Sequence, residues 1–264
     1  AFCCASHNGE AGQQQAVAAM LDKIGADAGL LQCGAARPLD ASENARVTLG
    51  LVPASPLQNC CSGKHAGMLA TCLHLGYPVE SYLAPHHPLQ QRILTIVAEA
   101  MQRDPASIVL ATDGCSVPTF GAGITDFARA YSALAAPANA PAEGVRAQAA
   151  TITRLLAAMT AYPDNIAGRG ELDTELMRLS NGAVVAKIGA EGLLCMAVPE
   201  RGLGIAIRIA DGTYRGLNIL AISVLEQLQL VESDVISAMT SALVTPITNA
   251  NGWVVGEFRT NLAL

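Results

Sequence analysis

Aromatic residues are scarce in this 264-residue sequence. One Trp, five Tyr and four Phe make up 4% of it, so the core cannot rest on ring packing and must use aliphatic side chains and close backbone approach through its 24 Gly. Charge is scarce as well, at 14% of residues, with 16 basic against 22 acidic and a net charge of −6. Low charge with 51% apolar residues excludes a disordered chain. The acidic balance gives no positive field for phosphates, so no nucleic-acid partner is expected. No apolar run approaches the roughly 18 residues of a membrane span. The most apolar stretch, 183–209, is broken by Lys187, Glu191, Glu200, Arg201 and Arg208. The sequence opens without a basic segment followed by an apolar core and a cleavage site, so the expectation is a soluble, cytoplasmic protein with no membrane partner. Finally, no Ser-x-x-Lys occurs anywhere.

What is present reads as an α/β protein of the α+β type. Helical spacing of apolar residues predicts helices over 12–24, 65–75, 88–101, 124–134, 144–159, 217–228 and 234–243. Residues 108–110 form a short strand candidate running into the turn Thr112-Asp113-Gly114. Three apolar runs, 183–188, 193–198 and 203–209, are separated by four-residue loops that contain Gly, the pattern of an antiparallel meander. A last strand fits 253–258. With no internal repeat and no strong boundary, the reading is a single domain, 1–264, with an antiparallel sheet covered by helices.

Eight cysteines, at 3, 4, 33, 60, 61, 72, 115 and 195, show no framework spacing and read as free thiols or metal ligands. Three short motifs stand in an informative order: Ser6-His7-Asn8, Cys61-Ser62-Gly63-Lys64-His65 at a helix start, and Lys187-Ile188-Gly189 at a strand end. Serine acyl-transfer enzymes use S-x-x-K, S-x-N and K-T-G in that chain order, because a hydroxyl nucleophile needs a neighbouring amine to take its proton. Taken singly, each residue also has a plain structural reading. Ser6 serves as a loop or capping hydroxyl, and Cys61 and Cys115 as buried thiols. Lys187 resists that treatment, because an amine within an apolar strand must find a partner or lose its proton.

The blocks 59–69, 112–120, 172–177 and 187–192, in this order and spacing, resemble the L-asparaginase II family, the rhizobial-type asparaginases. The resemblance implies a serine-β-lactamase/glutaminase-like fold and hydrolysis of L-asparagine to aspartate and ammonia. It implies two Ser-Lys tandems, of which the second maps onto Ser6 and Lys187. The first, an S-x-x-K, would lie before Ala1, so the domain is expected to lack an N-terminal segment here. It further implies a Zn2+ site held by Cys61, Lys64 and Cys115, with Asp113 and His65 as substrate-side or supporting residues, and a homodimer. Thiolates are good zinc ligands, and a Lys amine coordinates only once deprotonated. The missing S-x-x-K keeps one alternative open, a zinc-binding protein or inactive asparaginase-like fragment. β-Lactamase or transpeptidase chemistry is disfavoured, since Ile188 removes the hydroxyl of K-[ST]-G.

Overall fold

The computed structural model describes residues 1–264, which fall into two compact units, Ala1–Ala122 with Asp164–Gly168, and Gly123–Pro163 with Arg169–Leu264. The α+β expectation holds: ten α-helices accompany three small antiparallel sheets. No helix is long and apolar enough to cross a membrane.

The first unit contains α1 (Ala11–Lys23), α2 (Ala41–Thr48), α3 (Ser62–Leu75), α4 (Pro88–Met101) and the hairpin of β1 (Val109–Thr112) and β2 (Pro118–Gly121). Local chemistry sets the ends. A capping box joins Glu10 and Gln13 at the start of α1, and the Asp40 carboxylate accepts the Glu43 N–H at the start of α2. Pro88 opens α4, and α3 stops at Gly76, whose φ of 69° suits the left-handed cap. Val17 and Leu21 of α1 pack with Leu69 and Cys72 of α3, and with Tyr82, Leu89 and Val117.

Ser6 sits in an extended segment beside this core. The N–H groups of Ser6 and Asn8 donate to the carbonyls of Ile166 and Ala167 at 2.8 and 2.6 Å, and that of His7 donates to Cys60 O at 3.0 Å. The segment ends at Gly9, with φ +75°, where a Cβ would stand 2.6 Å from the Gln58 carbonyl oxygen. No other residue meets both conditions without moving the backbone.

The second unit contains α5 (Ile124–Ala135), α6 (Glu143–Ala147), α7 (Ala149–Ala161), α8 (Leu172–Leu179), α9 (Leu217–Gln227) and α10 (Ser233–Leu243). Its main sheet is the antiparallel meander β3 (Val185–Gly189), β4 (Leu193–Val198) and β5 (Leu203–Arg208), with Lys187 opposite Cys195. A short pair, β6 (Ile247–Thr248) and β7 (Val254–Gly256), follows. Residues 194–198 of β4 are all buried, so the sheet is covered on both faces, as the sequence predicts. Leu194, Met196 and Val198 join Leu176, Leu217, Leu225 and Met239 in one core. On β5, a Cβ at Gly204 would come within 2.1 Å of the Ala128 carbonyl oxygen and the Ser132 nitrogen. This strand–helix contact with α5 therefore needs a residue without a side chain.

Candidate active site and metal centre

Two separate stretches of the first unit build a cluster of metal-binding side chains. Cys61 stands at the N-cap of α3, where its N–H donates to Asn59 Oδ1 at 2.9 Å, and the Asn59 amide in turn donates to the carbonyls of Cys33 and Gly34. Lys64 follows in the first turn. The hairpin loop between β1 and β2 supplies Asp113 and Cys115. It is closed by Asp113 N–H to Val117 O and Ser116 N–H to Asp113 O, both at 2.8 Å, with Ser116 at φ 74°.

The Cys61 and Cys115 sulfurs and an Asp113 oxygen all lie within 4.8 Å of one another. Lys64 Nζ is 3.4 Å from Asp113 Oδ2, and the Cys115 thiol donates to the same oxygen at 3.2 Å. Both thiols are buried, while Lys64 and Asp113 keep 28% and 35% of their side-chain exposure, so the cluster opens to solvent on the amine–carboxylate side.

The charges here are mutually adjusted. Sharing with the Cys61 sulfur, together with burial, pushes the Cys115 thiol up to about 12. Burial works against the Lys64 ammonium, but the sulfurs of Cys61 and Cys115 and the Asp113 carboxylate outweigh it and hold its pKa above the ordinary lysine value. For Asp113, burial works against the carboxylate, but the Cys115 thiol and the Lys64 charge outweigh it and hold its pKa below the usual range. Two thiols, an amine and a carboxylate converging from positions 61–64 and 113–115 are a donor set suited to a cation of zinc type, which would take the place of the protons now held. The geometry thus joins Asp113 to the Cys61, Lys64 and Cys115 set.

The remaining residues divide as follows. His65 is fully buried, with Nδ1 2.6 Å from the Tyr82 hydroxyl. Ser6 lies on the segment tied through His7 to Cys60, next to Cys61. His7 is itself buried, its Nε2 2.8 Å from Ser62 Oγ and its Nδ1 accepting the Gly9 N–H. Since Ser62 donates its own proton to Leu57 O, His7 carries its hydrogen on Nε2 and fastens the loop rather than acting as a base. Burial pushes its pKa down to about 4, against a smaller opposing contribution from Gln13.

Lys187 belongs to the second unit. Its Nζ donates to Ile188 O at 2.7 Å and lies 3.4 Å from Asp173 Oδ2, which also accepts the Ile188 N–H at 3.2 Å. Asp173 has no exposure and Lys187 only 15%. The partner that an amine in an apolar strand must find is therefore Asp173 in the first turn of α8.

Sequence reasoning missed Asn59, Tyr82 and the anchoring role of His7. A polar side chain just before a helix start is a signal for the first. For Tyr82 the signal is weaker, namely that a buried phenol needs a hydrogen-bond partner.

The chain has no significant match among curated proteins. The family model described as L-asparaginase II, in contrast, matches residues 1–260, nearly the whole sequence, including Ser6, Cys61, Lys64, Asp113, Cys115 and Lys187, and the chain belongs to the L-asparaginase II family.

Proposed function

We propose that the protein is an L-asparagine amidohydrolase that releases aspartate and ammonia by Ser-Lys acyl transfer beside a zinc site. Family membership supports asparagine hydrolysis in general and a small-molecule substrate. The observation that carries the finer reading is the convergence of Cys61, Lys64, Asp113 and Cys115 into one half-open cluster. Cys61, Cys115 and Lys64 would hold the ion, with Asp113 at its edge. A bound zinc supplies a fixed positive charge that orients the substrate and its neighbouring water.

The chain's own groups handle the protons. In the first step a serine oxygen bonds to the side-chain carboxamide carbon. The hydroxyl proton passes by way of a lysine amine to the departing nitrogen, the C–N bond breaks, and ammonia leaves an ester on the enzyme. In the second, water adds to the ester carbon, its proton returns to the serine oxygen, and aspartate is released. Ser6 is the proposed proton relay or alternative nucleophile of this tandem, and Lys187 its amine. The Asp173 carboxylate and the Ile188 carbonyl fix the direction of Lys187. A homodimer at work in the cytoplasm, without nucleic-acid or membrane partners, belongs to the same proposal.

Ammonia release by the full-length protein from L-asparagine, with L-glutamine as comparison, tests it. Activity on asparagine that falls by about 10^2-fold or more in Ser6→Ala and in Lys187→Ala agrees with the assignment, the size following from loss of a proton-transfer group. Undiminished turnover in the double variant removes both residues from the mechanism. Stoichiometric zinc with no ammonia release points instead to the metal-binding alternative.

A further inference from the structure

A further thiol touches the metal cluster. Cys60 is partly exposed, whereas Cys61 and Cys115 are buried, and its sulfur lies 3.8 Å from the Cys61 sulfur. The turn that carries the two residues is held at three points. The Cys60 carbonyl accepts the His7 N–H at 3.0 Å, the Cys61 N–H donates to Asn59 Oδ1 at 2.9 Å, and the Cys61 carbonyl accepts the His65 N–H at 3.0 Å.

This turn keeps the two thiols in contact while separating them by accessibility. An oxidant arriving from solvent meets Cys60 before Cys61. The Cys115 thiol, by contrast, is buried and donates to Asp113 Oδ2 at 3.2 Å. Closing the 3.8 Å gap to an S–S bond of about 2.0 Å asks the two side chains to turn, and no distant element has to approach. Adjacent residues have Cα atoms about 3.8 Å apart, closer than the roughly 4.4–6.8 Å usual for a disulfide. The bond is therefore strained, and strained disulfides are the readily reduced ones.

We propose that Cys60 and Cys61 are an oxidation site, at which a hydroperoxide joins the two sulfurs in a reversible disulfide and withdraws Cys61 from the metal cluster. In the first step the Cys60 sulfur bonds to a peroxide oxygen and the O–O bond breaks. The Cys60 proton goes to the departing oxygen, which leaves as an alcohol, or as water from hydrogen peroxide, and Cys60 becomes a sulfenic acid. In the second, the Cys61 sulfur bonds to the Cys60 sulfur, the S–O bond breaks, and the hydroxyl departs as water with the Cys61 proton. The thiol pair is oxidised by two electrons and the peroxide is reduced by two. A dithiol reverses the step by exchange. The disulfide stands on the thiol geometry; its consequence for the ion rests on the metal-site reading above.

The test treats the full-length protein, freed of metal by a chelator, with hydrogen peroxide, alkylates the remaining thiols and weighs the tryptic peptides. Residues 47–64 form one such peptide, with Cys60 and Cys61 as its only cysteines, and 104–129 form another, with Cys115. The expected result is a peptide 47–64 that is unalkylated and two hydrogens lighter, and that dithiothreitol restores. The oxidised protein loses zinc binding in equilibrium dialysis, as expected of Cys61→Ala, and regains it on reduction. Cys60→Ser, treated in the same way, keeps its zinc binding. A peptide 47–64 alkylated at both cysteines, a cross-link between 47–64 and 104–129, or Cys60 carrying two or three oxygens with no disulfide overturns the proposal. So does loss of zinc from peroxide-treated Cys60→Ser to the wild-type extent. The wild-type peptide map decides by itself should Cys60→Ser fail to fold. A complete disulfide with undiminished zinc binding is a different result, which confirms the oxidation site and overturns the metal-site reading.

Discussion

Lys64 and Lys187 each stand 3.4 Å from an aspartate oxygen, yet the two pairs have opposite characters. Asp113, the partner of Lys64, is 35% exposed and shares its oxygen with the Cys115 thiol. Asp173, the partner of Lys187, has no exposure, and the same oxygen binds the Ile188 N–H while its Oδ1 finds no partner. The first pair is a half-open arrangement in which the amine has two thiols for neighbours and solvent on one side. Its Cys61, Asp113 and Cys115 atoms stand close enough together that they could hold a cation. The second is a closed pair, in which Asp173 has no exposure and the Lys187 amine also donates to the Ile188 carbonyl. Distance alone does not separate an exchangeable site from a fixed one; burial and the count of further partners do.

The largest effect should come from breaking the closed pair. Asp173→Ala leaves Lys187 with an uncompensated charge at a nearly buried position, and urea unfolding should show a loss of about 3–5 kcal/mol, the range for removing one member of a buried pair. The matching change in the open pair, Asp113→Ala, should cost no more than about 1 kcal/mol in the same assay. Equal losses would erase the distinction. Zinc retention should respond in the reverse order. Cys61→Ala and Cys115→Ala should each abolish the binding of about one zinc per chain, measured by equilibrium dialysis, whereas Asp173→Asn should leave it unchanged.

Acid should act through a third buried group. The His7 pKa lies at about 4 in the folded protein against 6.5 for the free side chain. The unfolded state therefore binds a proton first as pH falls. His7 stability is fully present above pH 6.5 and is lost progressively between 6.5 and 4, on the order of 3 kcal/mol in all. Unfolding titrations on His7→Gln should show a flatter profile in that window. An unchanged slope would mean that His7 titrates at its ordinary value. A smaller effect than that of the closed pair is expected at Gly9. Gly9→Ala should lower stability by at least about 1 kcal/mol, through positive φ and the Gln58 carbonyl, with zinc binding unaltered.

Local signals carried much of the fold. Pro88 marks the start of α4 at the residue expected, and the Gly-bearing loops place β3, β4 and β5 within two residues. The helix expected over 144–159 is broken at Gln148 into α6 and α7, a one-residue interruption that apolar spacing does not register. Helix α2 escaped notice because only Ala41, Ala45 and Val47 of its eight residues are apolar; its Asp40 cap was the available cue. Strand β2 begins with Pro118 and is four residues long, too short for a periodic pattern.

The site was less legible for a different reason. Cys61 and Cys115 lie 54 residues apart, and only the β1–β2 hairpin brings the second sulfur to the first; the spacing itself announces no metal. Asp113 was visible as a neighbour but not as a member of the donor cluster. His65 stands beside Lys64 in sequence, and its complete burial is a property the sequence does not state. Asp173 stood fourteen residues before Lys187 with nothing in the pattern to join them.

The zinc-edge X-ray absorption spectrum of the zinc-loaded protein measures the centre most directly. Two sulfurs at about 2.3 Å with nitrogen or oxygen completing a four-coordinate shell is the result predicted for Cys61, Cys115, Lys64 and a solvent or Asp113 oxygen. A shell of nitrogen and oxygen alone, with no sulfur scatterer, would contradict the assignment of the cluster as the metal site.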